Sequence, residues 1–290
     1  MNELEFEKII QDPAERTAQY KMRVQVYYEI TELYRLLWGD CYHFAIFSNG
    51  ETRQTALIAT EKMIAEEGGF CSGMTVLDVG CGLGGPALTI AKYSGANVIG
   101  VDIVEQHIQI ARQRASVSGL SEQTSFEIVD AMNLPFPDEY FDGVYLFESA
   151  CHMPDKSKFY QECGRVLRKG GRFVGTDWMR REGLTPQEEL EYIEPIYRYH
   201  AVPHMVTLSE LQDYLQAAGF FVEILEDASA RGNVMRNWQP LNPKIIQEIY
   251  RYQSNPIPLA HKTLRQAGVA LMQAAQVGAF IIGHWCAIKL

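Results

Sequence analysis

The sequence has 290 residues, 47% of them hydrophobic, and its formal net charge is −10. A chain of this length favours one catalytic core with appendages over two independent domains. The acidic balance argues against a nucleic-acid partner, because neutralising phosphates requires a concentrated basic surface.

The sequence shows neither a signal-peptide pattern nor a membrane span. Its N-terminus is charged from the first residues, and no run of about 18 apolar residues is unbroken. The six cysteines contain no CxxC pair, which argues against both a zinc site and a disulfide framework. We therefore expect a cytoplasmic protein that acts on a small molecule. A homo-oligomer is compatible with the sequence.

Two helices are predicted before the first strand. Apolar and aromatic residues recur at helical spacing over residues 17–37, and Trp38-Gly39-Asp40 is expected to end that helix. A second helix is predicted over residues 52–67. Together they predict an N-terminal helical cap over residues 1–70.

Strands and helices then alternate regularly, which predicts βαβ units and a parallel sheet. The fold class is therefore α/β, with a Rossmann-like, doubly wound core over residues 71–180. The predicted strands are 75–80, 97–102, 125–130, 141–148 and 172–178, and the predicted helices are 85–93, 104–118 and 156–167.

The pattern changes after residue 178. Residues 181–290 are expected to supply helical lid segments over the carboxyl edge of the sheet, together with the last two strands. The basic residues between Lys156 and Arg181 have helical spacing, which predicts a solvated outer face. The predicted helices are 186–200, 209–218 and 240–276, and the predicted strands are 220–227 and 278–290.

A glycine-rich turn follows the first strand in the segment VLDVGCGLGG. Gly80, Gly82 and Gly85 satisfy GxGxxG, so a dinucleotide site is one interpretation. Asp78, two residues before the first of these glycines, favours a different kind of ligand. Its carboxylate would repel a pyrophosphate at the helix N-terminus and attract a cationic α-amino group. The turn therefore favours a ligand that contains an amino acid.

Two further acids end the next strands. Asp102 can accept hydrogen bonds from two ribose hydroxyls, and Asp130 can accept one from an adenine amine beside an apolar wall of Ala131 and Met132. Aspartates are also common turn residues with no ligand. Three of them at consecutive strand ends, on the edge where open α/β sheets bind ligands, predict a nucleoside site.

The segments DVGCGLGG, GVD and DAMNLPF resemble the first motifs of class I S-adenosylmethionine (SAM)-dependent methyltransferases, over about residues 70–180. The resemblance implies a SAM cofactor and a seven-stranded, mostly parallel sheet whose last strand is antiparallel. It also implies which residues hold SAM. The methionine part of SAM would lie on Asp78, Gly80 and Gly82. Its nucleoside would lie on Asp102, Gln106 and Asp130.

A second, shorter resemblance concerns the acceptor. The ExxCHxPD segment that starts at Glu148, with Trp38-Gly39-Asp40 and His43-Phe44, resembles sterol C-methyltransferases and the related tocopherol and terpenoid enzymes. HFAIF departs from the HxGxF more usual there. The resemblance implies C-methylation of a small isoprenoid in secondary metabolism, either a prenyl diphosphate or a terpenoid.

Methylation of an alkene leaves a carbocation, which needs aromatic faces to stabilise it and a base to remove a proton. Glu148 is the predicted base, and Tyr28 a predicted catalytic ring. Ordinary core packing is the competing interpretation for each ring. The rings expected to line the acceptor pocket are Tyr27, Tyr34, Trp38, Phe44 and Trp178.

The lid carries residues that suit a polar headgroup. Tyr197, Arg198, His200 and His204, with Arg231 and Arg236, could bind a diphosphate together with Mg²⁺; packing of the lid is the alternative. N- or O-methylation of a small secondary metabolite is the second functional hypothesis, with His152 as general base. A nicotinamide-dependent oxidoreductase or a catalytically silent nucleoside-binding protein is the third.

Overall fold

The computed structural model describes residues 3–29, 31, 35, 39–238 and 259–290. Seven strands in this part of the chain form one sheet, which confirms the predicted α/β class. The strands are β1 (Thr75–Val79), β2 (Asn97–Asp102), β3 (Thr124–Ile128), β4 (Phe141–Phe147), β5 (Leu167–Arg180), β6 (Phe220–Asp227) and β7 (Phe280–Lys289).

The spatial order of the strands is β3-β2-β1-β4-β5-β7-β6. The first five strands pair in parallel, whereas β7 lies antiparallel between β5 and β6, as the resemblance implied. The chain order reverses between β1 and β4, and ligands bind open sheets at such a switch point. The glycine turn after β1 lies at this position.

Helices cover both faces of the sheet. β4 reads FDGVYLF and is almost wholly buried, as expected for a strand with helices on either side. Thr52 caps the helix Arg53–Glu67, and Thr207 and Glu210 form a capping box at the start of Leu208–Ala217. The helices between the parallel strands are Gly85–Ser94, Glu105–Val117 and Lys156–Val166.

The N-terminal cap is more divided than predicted. In place of one helix over residues 17–37, the structure has Glu3–Gln11, Pro13–Ala18 and Tyr20–Tyr28. Asp12 accepts a hydrogen bond from the N–H of Ala14 and begins the second helix, and Gln19 separates the second from the third. The remainder of the predicted helix and the turn at Trp38 lie largely outside the described residues.

The lid segments contact one another and the N-terminal cap. The predicted helix 186–200 consists of Pro186–Glu188, a π-helical turn at Glu189–Ile193, and Glu194–Tyr199. Glu194–Tyr199 and the cap helix Tyr20–Tyr28 both contact Leu259–Gln276. Residues 239–258, the first part of the predicted helix 240–276, lie outside the described residues.

Two local predictions were wrong. Lys156 is buried rather than solvated, because its ammonium donates to the carbonyls of Ala150, Cys151 and Met153. The strand predicted over residues 172–178 was too short, because β5 begins at Leu167 and continues to Arg180 as it pairs with β7. No helix in the described part of the chain is long and apolar enough to cross a membrane.

Candidate active site

A cleft of about 850 Å³, its open mouth included, lies at the carboxyl edge of β1, β2 and β4. It brings together nine of the predicted site residues: Tyr28, Asp78, Gly80, Gly82, Asp102, Asp130, Ala131, Glu148 and His152.

The glycine turn forms the floor of the cleft. Gly80 has φ +78°, and a Cβ there would lie 2.3 Å from Cβ of Ser149, so no other residue fits without movement. The N–H groups of Gly80 and Cys81 both donate to the carbonyl of Val101, at 2.8 and 2.9 Å. The turn is thus fixed against β2 and brings its backbone close to any ligand in the cleft.

Asp78 ends β1 as a buried carboxyl group that is 1% exposed. Its Oδ2 has no hydrogen-bond partner among the described residues, and burial raises its pKa to about 8. A buried carboxyl of this kind ionises readily only beside a cation or a strong donor. The α-ammonium group of SAM fits this requirement, and a pyrophosphate does not.

Asp102 is held as a carboxylate at the end of β2. Its oxygens accept the N–H groups of Val104 (2.8 Å) and Gly82 (2.9 Å), and His107 Nδ1 lies 3.5 Å away. Burial opposes ionisation, yet His107 and these backbone donors hold the pKa of Asp102 below its usual value. Each carboxylate oxygen can accept a second hydrogen bond, which leaves acceptors for ribose hydroxyls.

Gln106 is exposed and lies outside the cleft, whereas its neighbour His107 lines it. Residues one apart on a helix point about 100° away from each other, so a shift of one position moves a side chain from the cleft to the surface. His107, rather than Gln106, therefore faces the cleft, beside Asp102.

Asp130 connects the core to the N-terminal cap. Its Oδ2 accepts a 2.6 Å hydrogen bond from the hydroxyl of Tyr20 and lies 2.6 Å from Nζ of Lys21. Its Oδ1 accepts the N–H of Met132, whose side chain packs in the core beyond the cleft. The cap helix Tyr20–Tyr28 therefore closes over the strand end where an adenine is expected.

Glu148 follows β4 with a left-handed backbone, φ 53°, which is uncommon for a residue other than glycine and is frequent at functional sites. The N–H of Phe44 donates to Oε1 and the indole N–H of Trp178 to Oε2, both at 2.6 Å. The side chain lines the cleft and is largely buried. Burial raises its pKa to about 7.

Phe44 and Trp178 lie behind Glu148 rather than in the cleft. Their rings pack with Trp238 and Phe280 in an aromatic cluster. Tyr28 does line the cleft, and its ring lies 6.1 Å from that of Tyr42 in a stacked arrangement. Trp38 and Tyr34 are outside the described residues.

His152 also lines the cleft. Its Nδ1 lies 3.1 Å from the carbonyl of Ala201, which requires an Nδ1–H donor and leaves Nε2 as an acceptor. Burial lowers its pKa to about 4, so the imidazole is neutral at pH 7. Lys156 fixes the turn that carries it, through the three carbonyls described above.

The predicted lid residues are engaged in packing. His200 accepts from the hydroxyl of Tyr27 (2.8 Å) and donates to the carbonyl of Ala267 (2.7 Å), which occupies both ring nitrogens. Arg198 pairs with Glu194 at 3.0 Å. Tyr27, Tyr197, Arg198, His200 and His204 all lie outside the cleft lining.

The two distal arginines do not converge with the lid either. Arg231 pairs with Glu67 at 3.0 Å and also with Glu226, beside β6. Arg236 donates to the carbonyls of Asn49 and Glu51. The described structure therefore does not assemble the headgroup site predicted from these residues.

Several lining residues were missed by the sequence reasoning. Val24 and Tyr20 lie four and eight residues before the predicted Tyr28, and all three line the cleft. The same spacing was present in the predicted apolar stripe, but the neighbour Tyr27 points to His200 instead. The other lining residues without a predicted role include Tyr42, His43, Ile103, His107 and Ser149.

Parts of this chain are similar in sequence to known methyltransferases. Residues 77–175 match the methyltransferase domain family. A sterol 24-C-methyltransferase from Aspergillus fumigatus is 36% identical over 231 residues, which cover 79% of this chain and 61% of the relative. A sterol 24-C-methyltransferase from Eremothecium gossypii is 34% identical over 229 residues, which cover 78% of this chain and 61% of the relative. The chain thus spans about three fifths of the length of these curated relatives.

Solved structures share the fold over nearly the whole chain. The [4+2]-cyclase SpnF has a TM-score of 0.77 at 25% identity, and the matched part covers 92% of this chain and 94% of the SpnF chain. A geranyl diphosphate methyltransferase in complex with GPP and sinefungin has a TM-score of 0.74 at 16% identity, covering 93% and 99%. These likenesses confirm the class I methyltransferase fold, and the sterol 24-C-methyltransferase relatives confirm the resemblance to the sterol group.

Proposed function

The chain contains a methyltransferase domain on the class I fold, and from that premise we propose that it is a SAM-dependent C-methyltransferase of a neutral isoprenoid. The proposal depends on Glu148, whose buried carboxyl group lies on the cleft wall and accepts a hydrogen bond at each oxygen. A base of this kind is needed when a methyl group is added to an alkene and a proton must then leave.

The cofactor half of the proposal is supported by the order of acids along the sheet edge. Asp78 suits the ammonium group of SAM, Asp102 its ribose, and Asp130 its adenine. Bound SAM supplies an electrophilic methyl group on a sulfonium with a good leaving group. The protein therefore contributes mainly positioning, which can lower a barrier by roughly 7 to 11 kcal/mol in favourable cases.

Glu148 is suited to the proton removal that follows methyl transfer. The new carbon–carbon bond uses the alkene electrons and leaves a cation on the adjacent carbon. Glu148 takes a proton from a neighbouring carbon, and that C–H electron pair becomes the new double bond. A pKa of about 7 leaves a substantial fraction of the carboxylate ionised near neutral pH, where a general base is efficient.

Aromatic faces beside the cleft can stabilise the cation. Tyr28 and Tyr42 both line it, with ring centroids 6.1 Å apart. Each ring could contribute about 0.5 to 2 kcal/mol of cation–π attraction in a dry site. An acceptor in the cleft would meet these two rings, whereas Phe44 and Trp178 lie outside its lining.

The charges of the cleft favour an acceptor without a diphosphate. Its described lining includes Asp40, Asp78, Asp102, Asp130 and Glu148 but no lysine or arginine. Direct recognition of a diphosphate normally uses such cations.

Recognition through Mg²⁺ would need free carboxylates. Asp40 already pairs with Arg35 (3.1 Å) and Arg114 (3.5 Å), and both oxygens of Glu148 accept hydrogen bonds. Because the three strand-end acids are assigned to SAM, this acidic lining favours a neutral terpenoid or sterol-like acceptor over a prenyl diphosphate. The names of the sterol 24-C-methyltransferase relatives agree with this preference.

Incubation with [methyl-¹⁴C]SAM and paired acceptors tests the proposal. Each pair contains a neutral isoprenoid and its diphosphate, such as geraniol with geranyl diphosphate, and a sterol with a Δ24 side-chain double bond is added. Label is expected in a neutral acceptor and not in the diphosphates. Because the fold is shared with a [4+2]-cyclase, protein that binds S-adenosylhomocysteine (SAH) but labels no acceptor would overturn the proposal.

N- or O-methylation is the second candidate, and His152 is the observation that favours it. The imidazole is neutral, and its Nε2 is the nitrogen left to accept a proton from an amine or hydroxyl acceptor. Glu148→Gln distinguishes the two functions. Turnover within a few-fold of wild type would favour His152 as base, whereas loss of turnover with SAH binding retained would favour C-methylation.

A further inference from the structure

His43 and Glu61 form a buried pair beside Glu148. Their side chains are 1% and 0% exposed, and Nε2 of His43 lies 3.1 Å from Oε1 of Glu61. Glu61 belongs to the helix Arg53–Glu67, whereas His43 lies in the preceding segment and lines the cleft. The reaction described above assigns no role to either residue.

Hydrogen bonds connect this pair to Glu148. Nδ1 of His43 lies 3.0 Å from the carbonyl of Phe44 and must donate to it, so Nε2 faces Glu61. The N–H of the same Phe44 donates to Oε1 of Glu148 at 2.6 Å. The imidazole also stacks on Phe147, with centroids 4.4 Å apart, immediately before Glu148 in the chain. His43 therefore restrains Phe44, the residue whose N–H holds the carboxylate.

The pair also contributes charge. Several groups act on Glu148 from the elements packed around it. Burial raises its pKa, a positive charge on His43 lowers it, and Asp177 on β5 raises it again. Trp178 donates to it, Cys151 lies on the following turn, and Arg53 faces it from the helix that carries Glu61. Burial opposes ionisation of Glu61, yet its hydrogen bond and its electrostatic attraction to His43 hold the pKa of Glu61 below its usual value.

We propose that His43 and Glu61 act together as a positioning pair that holds the Phe44 N–H against Glu148. The inference rests on the proposed role of Glu148 as the base. Neither residue needs to touch the acceptor. Glu61 acts through His43, and His43 acts through Phe44.

The pH dependence of kcat in Glu61→Gln and His43→Gln tests the pair. Both variants keep a polar side chain but break the pair. The acid limb of the profile is expected to move upward by about one to two pH units, because the Phe44 N–H that the pair holds lowers the pKa of Glu148. At pH 7 kcat should fall about tenfold or more and should recover largely at high pH, with KM for SAM unchanged.

Glu66→Gln is the matched control. It lies on the same helix as Glu61, but its side chain is exposed and accepts from Tyr93. Its profile should match that of wild type. A loss of kcat in Glu61→Gln and His43→Gln that is equal at every pH would overturn the proposal, since it would show a packing role only.

A measurement without turnover separates this inference from the proposed function. Infrared difference spectroscopy follows the carboxyl band of Glu148, assigned by its absence in Glu148→Gln, as pH is varied. A higher midpoint of the Glu148 band in both Glu61→Gln and His43→Gln supports the proposal even if no acceptor is methylated. An unchanged midpoint overturns it even if methylation occurs. Stoichiometric zinc in the purified wild type would also overturn it, because Cys41, His43 and Glu61 have ligand atoms within 4.8 Å of one another.

Discussion

The indole N–H of Trp178 donates a 2.6 Å hydrogen bond to Oε2 of Glu148 from the far side of the cleft wall. Trp178 lies on β5 and Glu148 at the end of the neighbouring strand β4, so the sheet itself sets their separation. With the Phe44 N–H on Oε1, the bond orients the carboxylate before any acceptor arrives. Trp178 thus holds Glu148 and does not itself line the cleft.

Trp178→Phe removes this donor and keeps an aromatic ring in the cluster. A hydrogen bond to a charged group contributes about 1.5 to 3 kcal/mol, so kcat should fall roughly 10- to 100-fold. Because Trp178 does not line the cleft, the Kd for SAH should stay within about twofold of wild type. Steady-state kinetics and calorimetry test this. Trp238→Phe, in the same cluster, is the control, and an equal loss in both variants would contradict the assignment.

Asp78→Asn should weaken SAH binding by about 10- to 100-fold, because it removes the charge that pairs with the α-ammonium group. Asp138→Asn, at an exposed carboxylate on the surface, should bind as wild type does. Calorimetry measures both, and NAD should bind neither protein. Equal SAH affinity in Asp78→Asn and wild type would remove Asp78 from the cofactor site.

The same variant has an expected effect on stability. Folding raises the pKa of Asp78 from 3.8 to about 8, so the native state binds this proton more tightly than the unfolded state. The resulting stabilisation is complete below pH 3.8 and is lost as pH rises through about 8. The free energy of unfolding of ligand-free wild type should therefore fall over this window, and that of Asp78→Asn should fall less. Urea unfolding at several pH values measures the difference.

Tyr20→Phe removes the hydroxyl that joins the N-terminal cap to Asp130. The cap helix covers the nucleoside end of the cleft, so the variant should release SAH several-fold faster, equivalent to a hydrogen bond of about 1 kcal/mol. Stopped-flow displacement measures the rate. Tyr93→Phe is a matched control, since its hydroxyl also donates to a carboxylate, that of Glu66, but at the surface. Identical release rates in wild type and Tyr20→Phe would show that this contact does not gate the site.

Lys156→Met leaves the carbonyls of Ala150, Cys151 and Met153 without their shared donor. Unsatisfied buried groups cost about 1 to 3 kcal/mol, so the free energy of unfolding should fall by at least that amount. Lys158→Met, at an exposed position on the same helix, should change it by less than about 0.5 kcal/mol. Urea titration compares them, and equal stabilities would show that the ammonium is not needed for the turn.

The glycine turn and the three strand-end acids could be predicted from sequence because each depends on local pattern. An acid that directly follows a buried strand in a parallel sheet lies at the carboxyl edge, wherever the rest of the chain folds. The seven-stranded sheet followed in the same way from the alternation of strands and helices. The buried state of Lys156 did not, because its partners are carbonyls of a turn that spacing does not reveal.

The lid was harder to predict because its partners are distant in sequence. Arg231 pairs with Glu67 and Arg198 with Glu194, so cations that looked available for a headgroup are already neutralised. Whether Tyr27 or Tyr28 faces the cleft depends on how one short helix is rotated about its axis. His43 and Glu61 were missed as a pair because a single histidine and a single acid, 18 positions apart, form no local motif.

The most direct test of the central claim is the position of the transferred methyl group. Product from [methyl-¹³C]SAM and the neutral isoprenoid that is labelled most strongly is analysed by NMR. The account predicts a ¹³C methyl group bonded to carbon, with an adjacent double bond whose proton was removed, and almost no product from Glu148→Gln. A ¹³C methyl group on oxygen or nitrogen, or undiminished product from Glu148→Gln, would contradict it.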